Sequence, residues 1–372
     1  MVATPQLDAR YEAPEPPLQL EKLFKFQQLL FFQMSAALGA LAAYLGDRLG
    51  FFRALAEHGP MSAAELARRQ GTCPDMTAEW LRVTTCASYL EYEPQDDRYR
   101  LAPEHALILA NDGGPMCFAG GLQQIGGFAD QLPRLLDAFR DGGGLAQGAY
   151  SPDVREGMER LSATWFEHEL VDHWIAALPQ LSERLRAGAT VADIGCGGGR
   201  ALVRLAQAFP ASRFVGYEAF SAAVDRARHN AAAAGVADRV TFEVHDVMTG
   251  IPGAFDLVTA FDSLHDMPNP AEALVAVARS LKKDGTLLVL ELGTSDDLAD
   301  EIGPGGVVLH ATRLFYNLPV ALASFGPGRG PTGFAEPDMK SLCRKAGLVL
   351  ERSLPVRNPL HKLYVVKPQP AG

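Results

Sequence analysis

Val191-Ala-Asp-Ile-Gly-Cys-Gly-Gly-Gly-Arg200 is the stretch of this 372-residue sequence that decides the fold. Its first half predicts a short apolar strand, and its second half predicts a tight turn into a helix. Gly195, Gly197 and Gly199 have the spacing G-x-G-x-G, which lets the backbone turn sharply and lets a ligand approach without meeting a Cβ atom. The turn also presents helix N-terminal amides to a polar or anionic group. Because glycine turns follow many strands for structural reasons alone, the surrounding sequence has to decide their role.

Strands and helices alternate on the C-terminal side of this turn. Strands are predicted at residues 190–195, 213–218, 240–246, 255–262 and 286–292, with helices at 200–209, 222–234 and 271–281. Short apolar strands joined by crossover helices specify a parallel, doubly wound sheet. A helix at 338–346 and two last strands, LVLERSLP and KLYVVKP, bring the sheet to seven strands. The sequence therefore predicts an α/β, Rossmann-like domain.

Acidic residues stand where the second and third strands end. Glu218 lies about 20 residues after the glycines, where a carboxylate binds both hydroxyls of a ribose, and Asp246 is placed for an adenine amino group. The carboxyl ends of neighbouring parallel strands meet in one crevice, where open α/β sheets bind ligands. Two cofactors are compatible with this arrangement. A dinucleotide fingerprint, G-x-G-x-x-G, would need its third glycine at Arg200.

The glycine stretch resembles motif I of the class I S-adenosylmethionine-dependent methyltransferases. The resembling residues are Asp193-Ile-Gly-Cys-Gly-Gly-Gly199, with the aspartate two positions before the first glycine. That family has a seven-stranded sheet with a reversed last hairpin, so the resemblance implies S-adenosylmethionine rather than NAD as cofactor. It implies that the cofactor-binding residues are Asp193, Gly195, Cys196, Gly197, Gly199, Glu218, Asp246, Val247, Phe261 and Asp262.

The preceding sequence predicts three further segments. Residues 1–18 are polar and Pro-rich and predict a disordered arm; residues 19–110 have the helix-helix-helix-hairpin order of a winged helix; residues 111–187 predict a helical linker and lid before the Rossmann-like domain at 188–372. Ser62 and Glu65 form a capping-box pattern at the start of one helix. A winged helix before a Rossmann-type domain resembles bacterial and plant small-molecule methyltransferases that dimerise through their N-terminal halves. The resemblance implies a homodimer and a small-molecule acceptor.

Charge argues against a nucleic-acid partner. The chain has 34 Lys and Arg against 44 Asp and Glu, a formal charge of -10, whereas phosphate-binding proteins concentrate basic residues. The helix at 75–90, which would enter the DNA groove, carries Arg82 against Asp75 and Glu79. A dimerisation or scaffold module is the better interpretation of the winged helix. A transcriptional regulator that senses S-adenosylmethionine is the alternative from another class.

We expect a cytoplasmic location and no membrane partner. The apolar stretch from Leu29 to Gly46 approaches the length of a membrane span but contains Gln33 and Ser35, which favours a buried or dimer-forming helix. The N-terminus lacks the layout of a signal peptide. Five cysteines are scattered without a CxxC pair, so neither a zinc ribbon nor a disulfide framework is indicated and a reducing compartment fits.

Phe261-Asp-Ser-Leu-His-Asp-Met-Pro268 follows the fourth strand of the sheet, beside the expected cofactor crevice. His265 resembles the histidine of the L-H-D motif that deprotonates the acceptor hydroxyl in plant-type O-methyltransferases. Imidazole suits this role because its pKa lies near neutral pH. The alternative is a loop histidine that caps the next helix. Asp266 either orients the imidazole or caps the helix that begins near Pro270.

A metal-assisted alternative comes from the α-keto acid C-methyltransferases, which this chain also resembles. They bind a metal through two histidines, and Asn317 stands where that branch has its second one, with His310 seven residues earlier. No metal site is therefore expected. Asn317 would instead hydrogen-bond an acceptor oxygen or amine, and Arg313 would pair with an acceptor carboxylate. Candidate acceptor-binding residues are Trp165, His168, Arg313, Tyr316 and Asn317. The Gly-rich stretch 325–334 is a candidate flap.

Overall fold

The computed structural model describes residues 18–293, 295, 297–325, 334–358 and 360–369. The chain divides into two compact units, Met1–Ala110 and Asn111–Gly372. Except for Leu18, the predicted N-terminal arm lies outside the described residues.

The N-terminal unit has the predicted winged-helix order. It consists of α1 (Leu20–Arg48), α2 (Phe51–His58), α3 (Ala63–Gln70), α4 (Pro74–Cys86), the hairpin strands β1 (Glu91–Glu93) and β2 (Arg98–Arg100), and α5 (Pro103–Leu109). The capping box is formed, because the Ser62 hydroxyl accepts from the Glu65 amide and the Glu65 carboxylate accepts from the Ser62 amide. Pro103 opens α5, a helix that the sequence pattern did not predict.

Helix α1 is buried over its C-terminal part only. Gly39, Ala43 and Gly46 are buried, and Trp80 of α4 donates its indole N–H to the Ala42 carbonyl at 2.8 Å. All residues from 18 to 38 are exposed. The helix is also long and apolar enough to cross a membrane, a test that soluble helices pass as well. Of the two expectations for this helix, burial within the chain holds only for its second half, and a dimer-forming role of the first half stays a prediction.

The second unit begins with helices. They are α6 (Ala119–Asp141), α7 (Pro152–Trp165), a π-helical segment (Phe166–Ile175) and α8 (Pro179–Ala187). Strands and helices then alternate as β3 (Thr190–Ile194), α9 (Arg200–Ala208), β4 (Arg213–Glu218), α10 (Ser221–Ala233), β5 (Val240–Val244), β6 (Phe255–Phe261), α11 (Pro270–Ser280) and β7 (Leu281–Leu292). The chain ends with α12 (Leu298–Glu301), α13 (Pro304–Thr312), a π-helical segment (Arg313–Asn317), α14 (Leu318–Phe325), α15 (Glu336–Lys345), β8 (Leu348–Leu354) and β9 (His361–Pro368). Residues 326–333 of the candidate flap lie outside the described residues.

Seven strands form one mixed sheet in the order β5-β4-β3-β6-β7-β9-β8. The strands from β3 to β7 are parallel, whereas β9 runs antiparallel to both β7 and β8. The Rossmann-like sheet with a reversed last hairpin is therefore confirmed. The strand order reverses at β3, which has β4 on one side and β6 on the other. This reversal opens a crevice at the carboxyl ends of these strands.

Alternating strand residues bury both faces of this sheet. Val191 and Leu257 pack with Leu202 of α9, whereas Ala192 and Val258 pack with Leu274 of α11. Neighbouring residues in a strand point to opposite faces, so the two clusters are the two sides of a covered parallel sheet. This rigid frame fixes the ends of β3, β4, β6 and β7, on which the site is built.

Candidate active site

The glycine turn joins β3 to α9 through three left-handed residues. Gly195, Gly197 and Gly199 have φ values of +67°, +50° and +72°, which side-chain-bearing residues rarely adopt. A Cβ atom on Gly199 would lie 2.5 Å from the Phe242 ring, so packing requires that glycine. Nothing in the described structure lies within 4 Å of a Cβ on Gly197, which leaves open space beside the turn.

Glu218 ends β4 and faces the glycine turn. One carboxylate oxygen accepts the Gly197 amide at 3.0 Å, and the other accepts the Phe220 amide at 3.1 Å. Each oxygen keeps a second lone pair for a ligand hydroxyl. The carboxylate is thereby held at the carboxyl end of the sheet, as required for contact with a ribose.

Asp193 lies beneath the turn and is buried. Its carboxylate accepts the Thr259 hydroxyl at 2.6 Å. Burial raises the pKa of Asp193 to about 7, against the opposing effect of the Thr259 hydrogen bond. This carboxyl group therefore joins β3 to β6 through its hydrogen bond. Near neutral pH, its protonated and ionised forms are both populated.

A cavity of about 370 Å³ opens over these residues. Of the residues selected from the sequence, those that line it are Asp193, Gly195, Cys196, Gly197, Glu218, Phe261, Asp262, Asp266, Trp165 and Tyr316. Sequence reasoning missed further lining residues, among them Arg155, Met158 and Phe220. The first two lie on α7 and carried no motif that marked them.

Seven selected residues do not line the cavity: His265 and Asn317, which are described below, and five others. Gly199 is the N-cap of α9; Asp246 accepts the Met248 amide at 3.0 Å and caps a short turn; Val247 is buried in the core. His168 is half-buried, with Nε2 2.6 Å from the Gly113 carbonyl. Arg313 is electrostatically coupled to Glu301 rather than placed in the cavity wall. The predictions that His168 and Arg313 contact the acceptor are not supported by these positions.

His265 and Glu291 form a buried pair where β6 and β7 end. The His265 Nδ1 atom lies 2.6 Å from a Glu291 carboxylate oxygen, and the side chains are 3% and 0% exposed. The His265 amide donates to the other oxygen at 3.3 Å. Burial alone would lower the pKa of His265, but the carboxylates, Glu291 above all, outweigh it and raise the pKa from 6.5 to about 10.

Asp266 and Asn317 cover the other ring nitrogen of His265. The Asn317 amide donates to Asp266 at 3.1 Å, and both side chains lie 3.5 Å from His265 Nε2. This donation fixes the amide so that its oxygen, buried and without a partner among the described residues, is left as an acceptor. Asn269 caps α11, so the proposed capping role of Asp266 is wrong.

A second imidazole–carboxylate pair lies beside the first. His361 Nε2 is 3.2 Å from Asp262, and Trp165 packs on the His361 ring at a centroid distance of 4.7 Å. Asp262 has a φ of +55°, an uncommon conformation that directs it to this pair. His361 opens β9, far along the chain, and no local motif indicated its contact with Asp262.

A metal ion has one candidate position among the described residues. Ligand atoms of Asp262, His265 and Glu291 lie within 4.8 Å of one another. These atoms are engaged in the two imidazole–carboxylate pairs, however. A metal bound to His265 Nδ1 and Glu291 would have to displace the proton they share.

Comparisons with known proteins agree with this geometry. A methyltransferase-domain family model matches residues 185–311, and an Rv2258c-like winged-HTH family model matches residues 36–111. Methyltransferase GfsG of Streptomyces halstedii is 30% identical over 216 residues, which span 55% of this chain and 71% of that protein. This chain belongs to the S-adenosylmethionine-dependent methyltransferases. In this methyltransferase the winged helix precedes the catalytic domain, as the sequence resemblance implied.

Two further relatives are named for different activities. The 27-O-demethylrifamycin SV methyltransferase of Amycolatopsis mediterranei is 38% identical over 164 residues, 42% of this chain and only 57% of that protein. Aclacinomycin 10-hydroxylase RdmB of Streptomyces purpurascens is 29% identical over 329 residues, 84% of this chain and 83% of that protein. Relatives of this methyltransferase thus differ in the reaction that their names state.

Solved structures share the fold of the methyltransferase. The mitomycin 7-O-methyltransferase MmcR has a TM-score of 0.70 at 21% identity, covering 94% of this chain and all of that one. NcsB1, solved with S-adenosylmethionine and a hydroxynaphthoic acid, has a TM-score of 0.60 at 17% identity, covering 88% of this chain and 95% of that one. S-adenosylmethionine is the cofactor of the present chain, and the open space at Gly197 beside the Glu218 carboxylate fits it.

Proposed function

We propose that this methyltransferase transfers the methyl group to a hydroxyl oxygen of a small-molecule acceptor, with His265 as the base. The Glu291–His265 pair carries the proposal, because a carboxylate on Nδ1 keeps that proton in place and leaves Nε2 to accept another. The rifamycin relative, which is named as the methyltransferase of an O-demethylated small molecule, supports the same acceptor atom.

The cofactor, when bound, supplies an electrophilic methyl group on a sulfonium sulfur. The protein's residues position and activate its partner. Glu218 and the Gly197 turn would hold the ribose side, and Asp262 and Phe261 line the same cavity. His265 would accept the proton that the acceptor hydroxyl loses, and Glu291 would stabilise the imidazolium that forms. The buried Asn317 oxygen and the Tyr316 hydroxyl are the groups we assign to acceptor hydrogen bonds.

Asp266 connects His265 to the cavity. Its carboxylate lines the wall and is 40% exposed, whereas His265 is 3% exposed and stands behind it. An acceptor hydroxyl that reaches Nε2 must therefore pass Asp266 and Asn317. We assign Asp266 to orientation of the imidazole and of the incoming hydroxyl, since Asn317 fixes it at 3.1 Å.

The functional unit we propose is a cytoplasmic homodimer. The exposed half of α1 carries Phe26, Phe31 and Phe32, which are 62%, 68% and 71% exposed. Such an apolar surface favours a protein partner. All five cysteines are free, in keeping with a reducing compartment.

Methyl-deuterated S-adenosylmethionine tests the reaction. The enzyme is incubated with it and a metabolite extract of the source cells, and products are read by mass spectrometry. A labelled product whose fragments place the deuterium on oxygen supports the proposal. A label on carbon points to the α-keto acid alternative. A product that gains oxygen without label points to the reaction named for the hydroxylase relative.

A further inference from the structure

Helix α7 and the glycine turn line the same cavity. The lining side chains of α7 lie on one face of the helix, at spacings of three and four residues. They are Arg155, Met158, Glu159, Ser162 and Trp165. The turn, the start of α9 and α10 contribute further lining residues, among them Gly198, Arg200 and Arg226. A ligand in the cavity is therefore enclosed by α7 as well as by the turn.

Glu159 connects α7 to both α9 and α10. Arg200, the first residue of α9, donates its Nε–H to one carboxylate oxygen at 2.9 Å, and Arg226 of α10 donates its Nε–H to the other at 3.2 Å. Asn230 of α10 donates its side-chain amide at 3.4 Å. Because the Glu159 side chain is only 17% exposed, these donors replace much of the water that its carboxylate has lost. The Glu159 cluster consists of these four residues.

The Glu159 cluster also contacts the backbone of the glycine turn. The Asn230 amide that donates to Glu159 also donates to the Gly198 carbonyl, at 2.8 Å. A Cβ atom on Gly198 would lie 2.8 Å from a Glu159 carboxylate oxygen, so the carboxylate packs directly on the turn. The next glycine along, Gly197, borders the open space that fits the cofactor. One side chain of α7 thus touches the turn and joins the two helices beside it.

The Glu159 cluster has to separate before the cavity can widen between α7 and the turn. Its contacts join α7 to α9 and α10, and all three donors are protein groups, so they resist opening whatever the cavity holds. Arg200 and Arg226 are 48% and 41% exposed, so water can replace the carboxylate at each guanidinium. Ion pairs of this kind have modest strength, which suits a contact that breaks and forms again whenever a ligand is exchanged.

We propose that Glu159 is a positioning residue of the cofactor cavity, which holds α7 against the glycine turn and thereby sets the rate of cofactor exchange. The inference goes beyond the proposed function, because it depends on the cofactor and not on the acceptor atom or the base. Every turnover needs this exchange, since the methyl donor must enter and S-adenosylhomocysteine must leave. Without the Glu159 charge, entry and exit should both be faster, and the affinity should change less than either rate constant.

Surface plasmon resonance on the immobilised full chain measures the association and dissociation rate constants of S-adenosylhomocysteine. Glu159→Gln keeps the shape of the side chain and removes its charge. Arg226→Met removes one partner from the other side of the contact, and the double variant completes a double-mutant cycle. Glu167→Gln is the matched control, because Glu167 forms an ion pair with Arg204 of α9 at 3.7 Å but does not line the cavity. Melting temperatures show whether each variant keeps its fold.

The two rate constants should change together. Glu159→Gln should raise both about five- to twentyfold, as expected for the loss of two ion pairs, and should change Kd less than about threefold. Arg226→Met should raise both by a smaller factor, because Arg200 remains bound to Glu159. The double variant should resemble Glu159→Gln, since both changes disrupt one contact. Glu167→Gln should leave the rate constants and Kd within about twofold of wild type.

Unchanged rate constants in a folded Glu159→Gln would show that the Glu159 cluster does not control exchange. Faster dissociation with unchanged association would also contradict the inference, because Glu159 would then stabilise only the bound state. An equal effect of Glu167→Gln would overturn it too, since any ion pair to α9 would then suffice. If Glu159→Gln does not fold, Arg226→Met is judged by the same criteria. None of these measurements uses an acceptor, so the labelled-methyl experiment decides the proposed function separately.

Discussion

At the scale of single residues, the chemistry of the site depends on how many negative charges face one imidazole. The carboxylates of Glu291, Asp266 and Asp262 all raise the pKa of His265, against its burial. Asp262 is in turn compensated by His361 at 3.2 Å. The result is a base that matches a phenol, whose ordinary pKa is about 10, but that carries its proton at neutral pH. Proton transfer and methyl transfer should therefore both favour alkaline conditions.

Replacing the base should separate catalysis from cofactor binding. We expect His265→Gln to lower kcat about 10²- to 10⁴-fold, the usual contribution of general acid–base catalysis, while the Kd for S-adenosylhomocysteine stays within twofold or so. Initial rates and calorimetry measure the two quantities. His168→Gln, on a histidine that does not line the cavity, is the control. A larger loss in Asp266→Asn than in His265→Gln would transfer the base role to Asp266.

The Glu291 charge should set the pH profile. In wild type, log kcat/KM should rise with pH through an apparent pKa well above 6.5, since the neighbouring carboxylates, Glu291 above all, raise the pKa of His265 to about 10. Glu291→Gln removes the largest of these charge effects, so the apparent pKa should fall. Glu243→Gln, on an exposed residue, should leave the profile unchanged. Superimposable profiles for wild type and Glu291→Gln would show that this pair does not govern the rate.

The same pair has a consequence for stability. Because folding raises the pKa of His265, its charge stabilises the fold fully below pH 6.5, and this contribution is lost as the pH rises through about 10. We expect Tm to fall over that alkaline range in wild type and to fall less in His265→Gln. Thermal unfolding followed by circular dichroism between pH 6 and about 10.5 measures it. Equal slopes in both proteins would contradict a raised pKa.

Chelation addresses the metal alternative. His265 Nδ1 and Glu291 are already joined at 2.6 Å, so we expect methyl transfer to be insensitive to EDTA and to added Mn²⁺, Co²⁺ or Zn²⁺. Rates after dialysis against the chelator, with and without each metal, provide the measurement. A rate that is lost on dialysis and recovered with one metal would revive the metal-assisted C-methyltransferase alternative.

At the scale of elements, the glycine turn contains two glycines with different reasons to be there. A Cβ on Gly199 would meet the Phe242 ring at 2.5 Å, so Gly199→Ala should lower Tm by several degrees. A Cβ on Gly197 meets no described protein atom within 4 Å, so Gly197→Ala should change Tm less and weaken S-adenosylhomocysteine binding at least about tenfold.

Controls for the turn come from the same chain. Gly143→Ala, in open space at ordinary φ, should affect neither Tm nor binding. Phe242→Leu should recover part of the stability lost in Gly199→Ala, because it removes the contacting ring. Equal effects of the Gly197 and Gly199 substitutions on binding would remove the distinction between a ligand-facing and a packing glycine.

The sequence predicted elements better than it predicted contacts between them. The alternation of strands and helices predicted the sheet correctly, because hydrophobic periodicity is a property of the local sequence. The glycine motif and the acidic residue that follows it predicted correctly that Gly197 and Glu218 lie at one crevice. Glu291 lies near the end of a predicted strand, yet nothing in the neighbouring sequence indicated that it contacts His265. His361 lies on β9 and Arg155 on α7, and both reach the site. Their positions depend on tertiary packing, which the spacing of residues along one sequence does not reveal.

At the scale of the whole molecule, the winged helix shows no surface suited to the DNA groove on its α4 helix. Arg82, the basic residue of that helix, binds Glu79 at 2.8 Å on the same face. With a formal charge of -10, the chain is repelled by phosphate backbones. These observations support the proposed role of the N-terminal unit in assembly, and the exposed half of α1 is the surface on which that proposal can be tested.

If the proposed dimer forms through α1, a charge placed on this helix should dissociate it. Phe31 is 68% exposed in the single chain, and its burial in a partner would stabilise association by about 1.5–3 kcal/mol per side chain. Phe31→Glu should therefore shift the sedimentation velocity from dimer to monomer at micromolar concentration, whereas Gln28→Glu, an exposed polar position on the same helix, should leave the dimer intact.

Because α1 is also long and apolar enough for a membrane, flotation with anionic and neutral vesicles is measured in parallel with sedimentation. A monomeric wild type that floats with vesicles would assign the apolar half of α1 to lipid, and a dimer unaffected by Phe31→Glu would place the interface elsewhere.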